Sequence, residues 1–290
     1  IYRDDKVLRL RLASVSDIVD ASAEPLTLEY NQSRKEHYFT KRDGKEWLGL
    51  PTGKAVAKAV AEGWSAGGDR ITALHEKTAV ALPKAVWHGR KRSKADQGDE
   101  LDIHAVMRGE LDRAWTKSVR RVKHGSSAIT LYVDIGANGG THADSLTWRG
   151  LAGVALARIM EAAGYSVEII GGFHIHSYLD KGKCPPAVVT VTVKPRHARA
   201  DNATLAGTVA LPGFFRTFGF WGIIKAADYL GKEVDSLLGR VASLDAPGMV
   251  ETDTRTVPVI MPQLVHDEDS AVAWINETVQ LLQHSTIDRG

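Results

Sequence analysis

The chain holds a single cysteine, Cys184, so no disulfide can form within it and its stability has to come from a packed core, as in a reducing compartment. It has no apolar run approaching the ~20 residues that a membrane-spanning helix needs. The opening IYRDDKVLRLRL carries no signal-peptide core, so a cytoplasmic location is expected, with neither secretion nor membrane insertion. Charge of one sign is nearly missing from the overall balance: a net charge of +2 does not by itself point to nucleic acid. Complete catalytic signatures are missing too, with no nucleophile elbow, no dinucleotide fingerprint and no HExxH motif. The stretch GLPTGK, Gly49 to Lys54, is not a phosphate-binding loop. Three residues separate its glycines where that loop needs four, no hydroxyl follows the lysine, and no apolar strand precedes it.

What is present is an ordinary globular composition, 43% hydrophobic and 25% charged over 290 residues, enough for one sizeable core with an extension. Residues 1–98 read as a mostly helical N-terminal extension and residues 99–290 as the main domain. Ala55, Val56, Ala59 and Val60 recur at helical spacing after Pro51, and a second helix is expected over 69–87. The basic stretch from His88 to Gly98 reads as a polar loop at the boundary. Two basic patches, HGRKRSK (His88 to Lys94) and RRVKH (Arg120 to His124), are expected to be solvated, a phosphate track being the alternative. Between them Asp99, Glu100, Asp102, Glu110 and Asp112 suggest an acidic, solvated surface.

The most informative segment lies in the middle. SSAITLYVD, Ser126 to Asp134, is an apolar, β-branched run that suits a strand buried on both faces. Gly136, Gly139 and Gly140 in the following IGANGGTHADS break it into a turn. A helix follows, with Asp144 or Ser145 as its cap, Leu151, Val154, Ala155, Ile159 and Ala162 as its apolar stripe and Gly164 as its stop. Tyr165 to Gly171 is the next strand. The unit is therefore a right-handed βαβ, and the fold class is α/β: an open, mainly parallel, Rossmann-like sheet with helices on both faces. In such sheets ligands bind beyond the carboxyl ends of the strands, where Asp134 and the glycine loop lie.

An acidic residue ending the first strand, small residues at alternate positions after it, and a helix leading to GYSVEI together resemble the von Willebrand factor A domain from Ser126 to Val193. The resemblance implies a magnesium site built from an Asp-x-Ser-x-Ser sequence, with a Thr and an Asp from later loops. The matching positions here are Asp134, Gly136 and Asn138, so both hydroxyl ligands are replaced. Thr141 or Ser145 stand in as substitutes and Asp201 is the acidic residue in a later loop, so the implied Mg²⁺ site is a degenerate one. The arrangement is also similar to uncharacterised proteins of tailed phages and their hosts, in which a Leu-Pro-x-Phe-x-Arg-like helix start follows; LPGFFR, Leu211 to Arg216, is that segment here.

GGFHIHS, Gly171 to Ser177, offers a second metal reading. On a strand, His174 and His176 point to one face and could share an ion, with Asp180, Cys184 or His142 as a third ligand. AVVTVTVK, Ala187 to Lys194, reads as a strand near the sheet edge after a hairpin. Asp201 or Asn202 caps a helix, and the aromatic run Phe214, Phe215, Phe218, Phe220 and Trp221 reads as core or as a docking surface. Three functions follow. The chain is expected to be a non-catalytic module that binds another protein, within a phage or multi-subunit assembly, in the cytoplasm or in a virion. The alternatives are a metal-dependent hydrolase built on His174 and His176, with Asp134 orienting water, and a nucleic-acid accessory protein using the basic patches.

Overall fold

In the computed structural model the described residues are 2–3, 7–41, 44–78, 86–95, 97–98, 100–124, 128–138, 140–176, 186–234, 240–242, 244, 256–261 and 265–287. In chain order they open with strands β1 (Tyr2–Arg3) and β2 (Leu8–Leu12), followed by helices α1 (Val15–Ala23), α2 (Glu29–Glu36), α3 (Lys45–Leu48), α4 (Gly53–Glu62) and α5 (Ser65–Lys77). An arm follows: β3 (Val86–Ala95), β4 (Glu100–Leu101), α6 (Ile103–Met107) and β5 (Trp115–His124). The centre is β6 (Ala128–Asp134), α7 (Ala143–Ala162), β7 (Ser166–His176) and β8 (Ala187–Lys194). The remainder is α8 (Asn202–Leu205), α9 (Pro212–Phe214), α10 (Phe220–Tyr229), β9 (Arg240–Ala242), β10 (Val257–Met261) and α11 (Glu268–Ile287).

The seven-stranded main sheet runs β1-β2-β8-β7-β6-β10, with β9 beside the end of β7. β6 pairs in parallel with β7 on one side and β10 on the other, and β2 pairs in parallel with β8. The β7–β8 pair is antiparallel. The five strands β2, β8, β7, β6 and β10 thus pair mostly in parallel, with β1 and β9 added antiparallel, and the expected βαβ unit lies among them. β6 lies between β7 and the edge strand β10, and six of its seven residues are buried, in keeping with its continuous apolar character. β8 is an interior strand, since β2 occupies its other edge. The N-terminal segment, helical over most of its described residues, also supplies β1 and β2 to this sheet.

Register sorts the side chains. Ile129, Leu131 and Val133 stand opposite Val167, Ile169 and Gly171 and share one face. The helices close over it: a Cβ at Gly153 of α7 would meet Val133, and one at Gly222 of α10 would meet Val189 and Leu10. Phe173 packs edge-on against Phe215 at 5.0 Å. Phe214, Phe215, Phe218, Phe220 and Trp221 are all buried, so the aromatic run is core. The expectation of helices on both faces holds for this face. On the other, the described packing is a small cluster of Val7, Val188 and Leu244 with Ile260. No helix among the described residues is long and apolar enough to cross a membrane.

Candidate functional site

The glycine loop leaves β6 as expected, but it is fastened from inside. Asp134 is fully buried; its Oδ1 accepts the Gly136 N–H at 2.9 Å and its Oδ2 accepts the Leu244 N–H at 3.3 Å. Arg149, a buried residue in the second turn of α7, reaches back and donates from Nη1 to the carbonyls of Asp134 at 3.1 Å and Gly136 at 2.6 Å. Burial pulls the Arg149 guanidinium below its ordinary range while the Asp134 carboxylate opposes that shift. The far end of the loop is held by Arg216, which lies in a π-helical turn, Phe215–Gly219, between α9 and α10. Its guanidinium donates to the Thr141 and Trp47 carbonyls and stacks 3.9 Å from the centre of the Trp47 ring. Within the loop the Thr141 N–H donates to the Asn138 carbonyl at 2.9 Å. Asn138, Gly140 and His142 remain exposed at its crest.

These residues do not fit a magnesium ion. Magnesium requires near-octahedral oxygen donors, usually with free carboxylates. Here the Asp134 carboxylate accepts two backbone N–H groups and lies beside a guanidinium. Asp201 is elsewhere: it caps α8 through the Thr204 N–H at 2.8 Å, next to Asn202, which accepts from Arg158 Nε at 2.8 Å. Arg158 lies nine residues beyond Arg149 on α7, roughly 13 Å along the helix axis at 1.5 Å per residue. Asp201 is therefore a helix cap near the opposite end of α7. The hydrogen bonds from Thr204 hold its carboxyl below the usual carboxylate range.

His174 is buried on β7, opposite Val188 of β8 and Ala242 of β9, on the same face as Asp134 by register. His176 stands opposite Arg240. His142 occupies the N-cap position of α7, without a side-chain cap bond. Asp180 and Cys184 lie outside the described residues. Among the described residues, no group of three or more His, Cys, Asp or Glu is placed to hold a metal ion.

The arm changes the reading of the basic patches. His88 to Lys94 is not a loop: it lies within β3, which pairs along its whole length with β5, from Val86 opposite His124 to Ala95 opposite Trp115. The two patches are one antiparallel ribbon, with Arg90 directly opposite Arg120. β4 closes against the start of β5, and Asp102 caps α6 through the His104 and Ala105 N–H groups while pairing with Lys94. The bond from Lys94 holds the Asp102 carboxyl below its usual range. Of the expected acidic surface, Glu100, Glu110 and Asp112 are exposed, Asp102 and Glu110 pair with Lys94 and Arg108, and Asp99 lies outside the described residues; an apolar cap stands among them. Leu101, Ile103, Val106, Met107 and Leu111 are all exposed, Met107 by 79%.

Sequence reasoning missed Arg149 and this cap. An arginine inside the apolar stripe LTWRGLAGVAL is a signal for the first. Leu101, Ile103, Val106, Met107 and Leu111, close in sequence among the carboxylates, are a signal for the second.

A family model described as "Domain of unknown function (DUF7192)" matches residues 2–288. No curated protein and no solved structure matches the chain.

Proposed function

We propose, from the premise that this chain belongs to the DUF7192 family of unknown function, that it is a non-catalytic assembly module, von Willebrand A-like in its central unit, which docks another protein through the tip of its arm. One observation carries the reading: five large apolar side chains are exposed together on the short segment Leu101 to Leu111. Exposed apolar side chains scattered singly need no explanation, but a contiguous group on a projecting element marks an interface. The elements of the arm pack mainly on one another. The occupant that fits is a protein with an apolar groove and an acidic rim. β3 and β5 together carry eight lysines and arginines and no carboxylate. The glycine loop, pinned by Arg149 and Arg216, is a second, preorganised surface for the same role. The setting in this proposal is the cytoplasm or, for a phage-encoded chain, the virion.

The test is site-specific photo-crosslinking from position 107 of the full chain in its native host, alongside the double variant Ile103→Asp, Met107→Asp. A single crosslinked protein that disappears in the variant supports the reading. Crosslinking only to a second copy of this chain reassigns the occupant, and capture that the variant leaves unchanged removes the reading.

A specific observation favours nucleic acid as a second reading. The paired strands β3 and β5 carry eight lysines and arginines and no carboxylate in their sequence, a composition suited to a phosphate track. A two-stranded ribbon also has the width to enter a major groove. If the ribbon grips DNA, binding weakens by about 0.9 log units per log unit of salt for each phosphate contacted. Salt-independent retention, or none, eliminates this reading.

A further inference from the structure

A second polar site lies at the other end of the main sheet, away from the loop and with no described contact to the arm. There the start of β7, the end of α7 and the turn after β8 enclose an open cleft of about 470 Å³, lined by Arg158, Glu161, Tyr165, Arg196, His197 and Arg199. Its volume falls within the range of small-molecule pockets.

The charges around this cleft do not balance. Glu161 is its one acidic lining residue and is already engaged twice, by Arg158 at 2.9 Å and by the buried Lys194 at 2.7 Å. Arg158 is fully committed, donating also to the Asn202 side chain and the Ala200 carbonyl. That leaves two guanidiniums. Arg196 meets Glu168 at 3.7 Å, beyond ordinary hydrogen-bond length, and its buried Nε–H has no acceptor among the described residues. Arg199 is exposed at the rim with His197. A buried donor without an acceptor is disfavoured, and a loosely held guanidinium can turn to satisfy a ligand. The fork of an arginine matches the oxygens of a phosphate, to which two arginines can donate together.

We infer that this cleft is a phosphate-binding site, in which Arg196 and Arg199 grip the phosphoryl oxygens of a phosphorylated small molecule while the phenol of Tyr165 and the His197 ring border its remainder. Lys194 and Arg158 form the fixed floor: they hold Glu161 away from the anion and add positive potential. The chemistry is that of a phosphate monoester, and the same group could also be presented by the end of a nucleic-acid strand.

The experiment is titration of the full chain with inorganic phosphate, with a nucleoside monophosphate and with a 5′-phosphorylated oligonucleotide, followed by calorimetry and phosphorus NMR at constant ionic strength. Arg199→Ala and Arg196→Gln are measured beside the natural chain. Arg199 is exposed, so its variant is expected to fold, and an unchanged melting curve checks this. Saturable binding of phosphate or of the monophosphate, weakened roughly tenfold or more by each substitution, supports the site. Binding of the phosphorylated oligonucleotide alone, lost in the same variants, supports the phosphate chemistry and assigns its source to the polymer. Absence of saturable binding to all three ligands, or binding that both variants retain within twofold, overturns the inference. The arm variant Ile103→Asp, Met107→Asp is expected to bind phosphate normally, so failure of this site and failure of the docking proposal are separable.

Discussion

Replacing Arg149 with methionine tests whether the glycine loop is a fastened structural element. Methionine retains much of the side chain's apolar volume, so the change isolates the guanidinium. Its loss leaves the buried carbonyls of Asp134 and Gly136 without their donor and the buried Asp134 carboxylate without its neighbouring cation. Breaking one side of a buried charged arrangement costs about 3 to 5 kcal/mol. For a chain of 290 residues, with an unfolding entropy of about 2.1 cal/mol/K per residue, a loss of about 4 kcal/mol lowers the melting temperature by roughly 7 °C. Differential scanning calorimetry reads that shift. The sharper measurement is a double-mutant cycle with Asp134→Asn. With the carboxylate neutralised, removing the cation should matter less, and a coupling of about 1 to 3 kcal/mol is expected. A shift below 2 °C (roughly a third of that expected), or two additive substitutions, would refute the claim that Arg149 and Asp134 act together.

The double variant Ile103→Asp, Met107→Asp should leave the melting temperature within about 1 °C of the natural chain, because these side chains are exposed; a larger drop in calorimetry would mean that the tip is core. Gly150→Ala should destabilise by about 3 kcal/mol in urea titrations, since its Cβ would lie 2.1 Å from the Val209 carbonyl oxygen and 2.3 Å from the Ala210 Cα, both backbone atoms. Gly164→Ala, where φ is +91° but the space is open, should cost only about 1 kcal/mol by the same measurement. Asp228 should make stability fall in acid. Burial pushes its carboxyl up, but N–H donors from Thr27, Leu28 and the Asn31 amide outweigh that, and the net shift is downward. A carboxyl lowered in the fold contributes stability at neutral pH that disappears as pH drops through its lowered range, below the ordinary value of about 3.9. Asp228→Asn should therefore lower stability at pH 7 and flatten the acid limb of a pH series of melting curves.

What could be read from residues alone was what depends on neighbours along the chain. The strand ending at Asp134, the helix stopping at Gly164, the helix beginning just after Pro51 and the next parallel strand all follow from periods of two and 3.6 and from turn chemistry. Pairing between distant segments was not legible. Leu8–Leu12 alternates apolar and basic residues over only five positions, too short a run to announce a place beside β8. His88–Lys94 has almost no apolar residues, so nothing in its period declares a strand; only β5, more than twenty residues later, supplies the hydrogen-bond partners that make it one. For the same reason the candidate metal residues could not be grouped. Asp134 and Asp201 both stand at element ends, which is also where caps and turn brackets belong, and proximity to a glycine loop does not distinguish a ligand from a fastener.

That ambiguity has a physical resolution in the arginines. A carboxylate at the end of a buried strand must be satisfied either by a cation from solvent or by donors from the chain. Here the chain supplies them: two backbone N–H groups on the carboxylate and a guanidinium anchored on the adjoining carbonyls. An ion taking the same place would have to displace those donors and sit against Arg149, so each feature that stabilises the loop also disfavours a divalent cation. A fixed loop and a helix-filled sheet face are properties of a scaffold. In the proposed docking role, the part of the scaffold offered to a partner is the exposed apolar tip of the arm, Ile103 and Met107 foremost.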